Sequence, residues 1–552
     1  MNIEKAIAAA IVSSLLLVST PAFSDDAAES NRLFVTAVKA LNEADTLSGS
    51  GLAVAEKRFL LLDNVTENLN RIINDYSGAD LAVKLMIGEE IGPVSMVSVQ
   101  QTLDAARTQL AAALANCEEP ALCLNNLALK ETRSIEEPRL RASLLSEIAI
   151  EQISAELYTE TLAAIDEAEG GLTRDNFLRA FAYAQFLDGD LEAAKNTANA
   201  IVDKPRRGYL YNNFVTELAN TGQFSTALEI ARRPLDDTYD ERFRMFEDIA
   251  VAQAIAGLTA DAFLTVGAIE DSWFRSLALE HVSIAQAEAG LLNEALKTAE
   301  AIEYSRPIIR AISQLAISEA DPSYFTWALD VARVIEDEGE RGSALKSISE
   351  AQAELGLFAE AAETLSGVAW EGGRDGGFER IAVAQAKAAQ YSDALETVER
   401  INRPNTSDDA LRGIAVSQAE AGLFSDALET AKKIREPDSV DAALSLVAGF
   451  YAKAGQYSEA FEITDQISGS ATKAEALEQV AVALANAGQF TEAVETAREM
   501  MSESFQGLAF RNIALVQVEA DMLTAAIETA LEQPNIQYRA MTLFELSNSL
   551  SR

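Results

Sequence analysis

LRGIAVSQAEAGLFSDALETAKKIREP, residues Leu411 to Pro437, holds the plan of the whole chain. Leu411, Ile414, Ala415, Gln418 and Ala419 fall at i, i+3, i+4, i+7 and i+8, the spacing of one face of an amphipathic helix. Gly422 interrupts it, because glycine reaches positive φ at a helix C-terminus without the clash of a Cβ. Phe424, Ala427, Leu428, Ala431 and Ile434 then form a second apolar stripe. Ser425 is placed to cap that second helix, and Asp426 and Glu429 stand where its dipole favours carboxylates. Pro437 follows the stop. The stretch predicts two short helices around a tight turn.

Aligned on Gly422, the same unit recurs. Glycines stand at 189, 222, 257, 290, 356, 422, 455 and 488, and from Gly257 to Gly488 each gap is 33 or a multiple of it. Ser323 and Ala389 occupy the skipped registers, and Asp521 continues the series. Gly222 lies 35 before Gly257, which places a two-residue insertion in the connection RRPLDDTYDE. Glu156 and Cys123 extend the register backwards, making thirteen anchors from Cys123 to Asp521.

Three ladders support this register. Five residues after the anchor stands alanine: Ala128, Ala194, Ala227, Ala262, Ala295, Ala328, Ala361, Ala394, Ala427, Ala460, Ala493 and Ala526, with only Thr161 departing. A small residue there lets the two helices of a hairpin approach closely. Glutamine recurs four before the anchor (Gln185, Gln253, Gln286, Gln352, Gln385, Gln418 and Gln517 among others), and we expect its amide to bridge adjacent first helices. Arginine recurs fifteen before it (Arg207, Arg275 and Arg341 among others), following acidic connections such as IEDSWFR, and pairing with those acids is the simplest expectation. Arg539 sits where one further register would put it, so Gln537 to Leu550 reads as an unpaired first helix that caps the array.

A helical period of this length means a solenoid, because one hairpin cannot bury both of its apolar stripes and stacked neighbours can. The expected fold is all-α: a right-handed α-solenoid of helix-turn-helix repeats with a 33-residue period and a helical N-terminal cap. Its segments are a signal peptide (1–24), a helical N-terminal module (25–98), the repeat array (99–536) and a C-terminal capping helix (537–552). In the module, helices are expected at about Glu29 to Glu43, at 52–76 and over ADLAVKLMIG up to Gly88, with a turn at Gly92-Pro93, and a further helix is expected from Val99 to Asn116.

MNIEKAIAAAIVSSLLLVSTPAFS has a weakly basic start, an apolar run from Ala6 to Val18 too short to span a bilayer, and small residues at Ala22 and Ser24. We expect cleavage after Ser24, export to the periplasm or the medium, and no membrane insertion after cleavage. In an exported chain, Cys117 and Cys123 of CEEPALC are candidates for a disulfide. The net charge of −42 opposes binding to nucleic acid, whose affinity rests on neutralising phosphates, and to anionic membrane surfaces. It suits solubility, a cationic partner or a saline habitat.

The local pattern written as AEAGLFSDALE, AKAGQYSEAFE and ANAGQFTEAVE, from Ala419, Ala452 and Ala485 onward, resembles the tetratricopeptide repeat family over about Leu103 to Leu550. The turn glycine, the following aromatic and the second-helix alanine match. The period is 33 rather than 34, and Gln418 stands where the family often has tyrosine. The resemblance implies a concave surface lined by first helices. Ten before each anchor, that column reads Arg179, Asn212, Glu247, Glu280, Ser313, Lys346, Glu379, Arg412, Ser445, Glu478 and Arg511. It lacks the basic, Asn-rich set of the family's carboxylate clamp, and a mixed column of this kind suits an extended peptide or a helix.

Nothing in the sequence assembles a catalytic constellation, a cofactor loop or a metal-ligand set. His281 is the only histidine, and a lone imidazole has no second one to share a metal. Glu396, Glu429, Glu462, Glu495 and Glu528 repeat on the second helix, as a solvated face does. The expected function is a non-enzymatic exported scaffold that binds an envelope protein or peptide, without cofactor or metal. The alternatives are an accessory factor for polymer or glycan handling, or an enzyme with its site in the N-terminal module. The partner, the pathway and the oligomeric state are not legible in the sequence.

Overall fold

The computed structural model describes residues 25–49, 51–91, 94–135, 141, 144–145, 171–233 and 239–551. The expected signal segment, the Gly92-Pro93 turn, the Glu156 register and residues 234–238 of the inserted connection lie outside them. Among the described residues the secondary structure is helical, with one isolated bridge between Ile91 and Val94 as the only β pairing.

The repeat unit is a long first helix and a short second one. Around Gly422 these are Pro404–Glu420 and Phe424–Ala431. Gly422 has φ +77°, its N–H donates to Ala419 O at 3.0 Å, and the Leu423 N–H donates to Gln418 O at 2.8 Å. That pair of bonds satisfies carbonyls that the helix end leaves free. The same left-handed turn occurs at Ala389 (59°) and Asp521 (60°), where glycine is missing. It therefore belongs to the repeat and not to glycine alone. The Ser323 register departs: its first helix, Ser305–Ser318, ends early, and the left-handed residue is Ala320 (49°). Pro322 lacks the N–H that a continuing helix would need. Ser425 does not cap its helix, because Leu423 holds the N-cap position and Ser425 falls inside the first turn.

All twelve ladder alanines are fully buried, at 0% exposure. Two of them also accept a bond across the hairpin, from Ser283 Oγ to Ala295 O at 2.8 Å and from Ser349 Oγ to Ala361 O at 2.9 Å. Such contacts need second-helix backbone within reach of the first helix, and a larger side chain at this slot would hold it away.

The glutamine ladder is hydrogen-bonded, but to a different partner from the one expected. Gln185, Gln253, Gln286, Gln352 and Gln385 each accept through Oε1 from a threonine of their own second helix: Thr197, Thr265, Thr298, Thr364 and Thr397, at 2.7–2.8 Å. The bond closes a hairpin internally. Thr430 and Thr529 occupy the same slot, but Gln418 and Gln517 leave Oε1 without a partner. The arginine ladder is likewise corrected. Arg207, Arg275 and Arg341 donate to the carbonyls of Ile201, Ile269 and Ile335 at 3.1, 3.0 and 2.7 Å. Those carbonyls lie just past the preceding second helix, beyond the intrahelical ladder, where a cation is favoured.

One stitch between repeats escaped the sequence reading. Asp175, Asp375, Asp408 and Asp441, each fourteen before its anchor, are buried (0–6% exposed). Each accepts backbone N–H bonds from the connection leading into the next first helix. Asp175 binds Val202 and Asp203, Asp375 binds Arg403, Asp408 binds Glu436, and Asp441 binds Ser468 and Gly469. A buried carboxylate persists there because backbone donors replace its water, although Asp375 keeps one oxygen without a partner. Asp441→Ala is expected to destabilise its repeat by about 1–3 kcal/mol, the scale of orphaning buried polar groups. Urea unfolding checks this, and Asp441→Asn should lose less because it keeps one acceptor.

The chain forms two compact units: residues 136–487 with 500–502, and residues 1–135 with 488–499 and 503–552. The first contains the repeats from Gly171–Leu187 to Ser470–Asn486. The second unites both ends of the chain. Its N-terminal helices, Asp25–Thr46, Leu52–Asp75, Asp80–Met86 and Met96–Ala115, match the expected spans within a few residues. Leu33, Phe34, Val65, Leu69, Ile72 and Leu85 are the core of the first three. The boundary expected at 98/99 falls inside Met96–Ala115.

The last helix, Ile536–Ser551, is not an unpaired cap. It packs along Pro120–Ser134, the second helix of the Cys123 register. The helix that precedes Pro120–Ser134 in sequence packs mainly elsewhere, against Leu52–Asp75 and Leu523–Leu531. The last helix therefore supplies the first helix that this register lacks. Arg539 locks the pair. It is 1% exposed and donates to both oxygens of Glu131 at 2.9 and 3.0 Å, to Asp63 at 2.7 Å and to Gln533 O at 3.0 Å. Ser547 Oγ donates to Ala121 O at 2.8 Å. Cys123 lies inside Pro120–Ser134 and not in the turn its register predicts, and it is joined as a disulfide to Cys117, with Cα atoms 6.7 Å apart.

Candidate partner-binding column of the first helices

The eleven column residues all lie on first helices, because ten before the anchor falls within the first helix in each of the registers from Gly189 to Asp521. Their environments differ. Ser313 and Ser445 are buried, with Oγ atoms that have no hydrogen-bond partner. Glu280 is 2% exposed and pairs with Arg310 at 2.8 and 2.9 Å. Burial pushes the Glu280 carboxyl above its usual range, against the pull of Arg310. These three do not present a free polar group to a partner.

Others tie neighbouring first helices to one another. Asn212 donates to Asp248 at 3.4 Å, Glu247 bonds Nδ1 of His281, and, in the other unit, Arg511 pairs with Glu545. The slot ten before one anchor thus meets the slot nine before the next. Thr216 also donates to Asp248, whose carboxyl burial holds above its ordinary value. Lys346 and Arg412 are half-buried and pair within their own helices, with Glu350 at 3.0 Å and Asp409 at 3.0 Å. Glu379 and Glu478 are half-buried, and burial raises the Glu379 carboxyl. Arg179 is exposed.

His281 is therefore part of this inter-helix tie. Its bond to Glu247 raises the imidazole pKa above 6.5, with burial opposing and Glu280 assisting. Because the folded value is raised, the tie contributes stability that is full below 6.5 and is lost as pH rises through the folded pKa. The chain has one histidine, so its imidazole proton resonances are unambiguous. An NMR titration is expected to give a pKa above 6.5 that falls in Glu247→Gln.

The acidic ladder of the second helices is solvated over most of its length: Glu396, Glu429, Glu462 and Glu495 are exposed, and Glu528 is half-buried. Among the described residues no three of His, Cys, Asp and Glu converge as metal ligands, and no helix is long and apolar enough to cross a membrane.

No protein-family model matches this chain, and no curated protein does. Among solved structures, the chain is similar to the crystal structure of Ton1535 from Thermococcus onnurineus NA1, with 15% identity, a TM-score of 0.21, and coverage of 60% of this chain and 97% of that one. It is also similar to a circular tandem repeat protein with novel repeat topology and enhanced subunit contact surfaces, at 12% identity and a TM-score of 0.13, covering 91% and 100% of the two chains.

Proposed function

We propose that this chain is a non-enzymatic, exported, tetratricopeptide-like scaffold that binds an envelope protein or peptide along its first helices. The observation that carries this reading is the contrast between slots. The anchor turn and the ladder alanine barely vary from repeat to repeat, and both of them are packing. The column ten before the anchor changes charge and size at nearly every step, and Arg179, Lys346, Glu379 and Arg412 retain solvent access. Variation at solvent-accessible, regularly spaced positions on a repeating frame is what recognition of one particular partner requires.

Export and partner are tested together. The N-terminus of the protein recovered from periplasm should begin at Asp25; an intact Met1 would overturn cleavage after Ser24, and absence of the protein from the periplasmic fraction and the medium would overturn export. Crosslinking and pull-down from periplasm should recover one partner reproducibly, and the pair Arg179→Glu with Lys346→Glu should reduce its recovery at least tenfold without lowering thermal stability. The absence of any reproducible partner under several conditions, or full recovery by the double variant, would overturn the binding role of the column.

A further inference from the structure

Trp370 stands immediately before the helix Glu371–Lys387, and its indole remains 46% exposed. It is held in place by residues that have no side chain. A Cβ at Gly373 would come 2.4 Å from the ring carbons, and one at Gly342 would come 2.9 Å from the indole nitrogen. Both glycines lie inside helices, where glycine is less favourable than alanine by about 1 kcal/mol. The two helices carry glycine where the indole lies against their backbones, and a side chain at either position would displace the ring.

Beside it opens a cleft of about 690 Å³, lined by Arg306, Asp337, Glu338, Gly339, Glu340, Ser343, Ala369 and Trp370. It is shallow and open, which suits an extended chain lying across it and not a small molecule that needs enclosure. Three carboxylates face one guanidinium. Asp337 is occupied in part, accepting the Glu340 N–H at 2.7 Å. Arg306, Glu338 and Glu340 are exposed, and among the described residues none of them forms an ion pair. An aromatic face with uncompensated carboxylates attracts a cation twice over, by the ring quadrupole and by charge. A wholly acidic cleft would suit a free polyamine equally well. Arg306 adds a donor at the same site, which a peptide carbonyl can use and a polyamine cannot.

We propose that this cleft binds an extended basic peptide segment, with one arginine or lysine side chain over Trp370 and against Glu338 and Glu340. The site is separate from the first-helix column, so a failed pull-down with the column variant leaves it standing. Its test uses the full chain and a fluorescein-labelled Gly-Arg-Gly-Arg-Gly peptide, with fluorescence anisotropy at physiological salt. The peptide should bind, its Gly-Glu-Gly-Glu-Gly counterpart should not, and Trp370→Ala should weaken binding about tenfold. Glu338→Gln with Glu340→Gln removes only exposed charges, keeps the fold if Trp370→Ala does not, and should weaken binding by a similar factor. As a control, Glu396→Gln with Glu429→Gln removes two exposed charges elsewhere and should leave the affinity unchanged. Equal losses from the cleft and control pairs would mean general attraction to an acidic protein and would overturn the site. So would undiminished binding by both cleft variants, spermidine competing as well as unlabelled peptide, or a neutral oligosaccharide such as chitotetraose displacing it.

Discussion

Arg539→Ala is expected to lower the stability of the unit that joins the two chain ends by about 3–5 kcal/mol, the scale of breaking one partner out of a buried ion pair. Glu131 is fully buried and Arg539 nearly so. Removing the guanidinium leaves the Glu131 carboxylate without its strongest donor and without water to replace it. Native-state hydrogen exchange would show the loss as earlier opening of Pro120–Ser134 and Ile536–Ser551. Removing both charges, with Arg539→Met and Glu131→Leu, should restore much of the loss, because the double variant no longer buries a lone charge. If the double variant is as unstable as the single one, shape rather than charge holds the pair.

The same site carries a pH dependence. Burial pushes the Glu131 carboxyl from 4.5 up to about 6, against the pull of Arg539. For Arg539, burial pulls down, yet Glu131 and Asp63 together hold it above its ordinary range. Since the folded pKa of Glu131 is the higher one, this carboxyl contributes stability below 4.5 and loses it as pH rises through about 6, by on the order of 2 kcal/mol. Glu131→Gln should flatten that part of the stability–pH curve.

The second large effect is expected at Ala427. Ala427→Leu adds three carbons where exposure is 0% and the neighbouring first helix is in contact. Overpacking a filled core costs about 1–3 kcal/mol, and here the strain falls on the packing that a repeat array depends on. Glu429→Leu, two residues further along the same helix, falls on an exposed position and should change stability by no more than about 0.5 kcal/mol. Urea unfolding of the two variants separates a packing role for the alanine ladder from a general intolerance of leucine in this helix.

Residues that recur at fixed distances were open to reading from the chain alone. The turn at Gly422 and the alanine ladder follow from local geometry repeated every 33 residues, and the structure places them as expected. The threonine eight after the anchor recurs just as visibly, as Thr265, Thr298, Thr364 and Thr397, and would have named the glutamine's partner. The aspartate ladder has a fainter signal. Gly342, Ser276 or Phe243 fills its slot in other registers, so no column of acids stands out. In the candidate column, a serine reads as polar wherever it stands. Only neighbouring helices decide that Ser313 and Ser445 are buried while Arg179 is not.

The sequence by itself determined the helical hairpin, its period and the slots that pack it, because those depend on neighbours within one or two turns of chain. The tertiary structure decided what the chain ends do. Arg539 looks like one more member of a ladder, and it does keep the ladder's bond to a carbonyl six residues before it. Its bonds to Glu131 and Asp63 span 408 and 476 residues. No periodic pattern marks that pairing. It exists because a second helix left without its own first helix, and a first helix left without a second, each had an apolar face to bury.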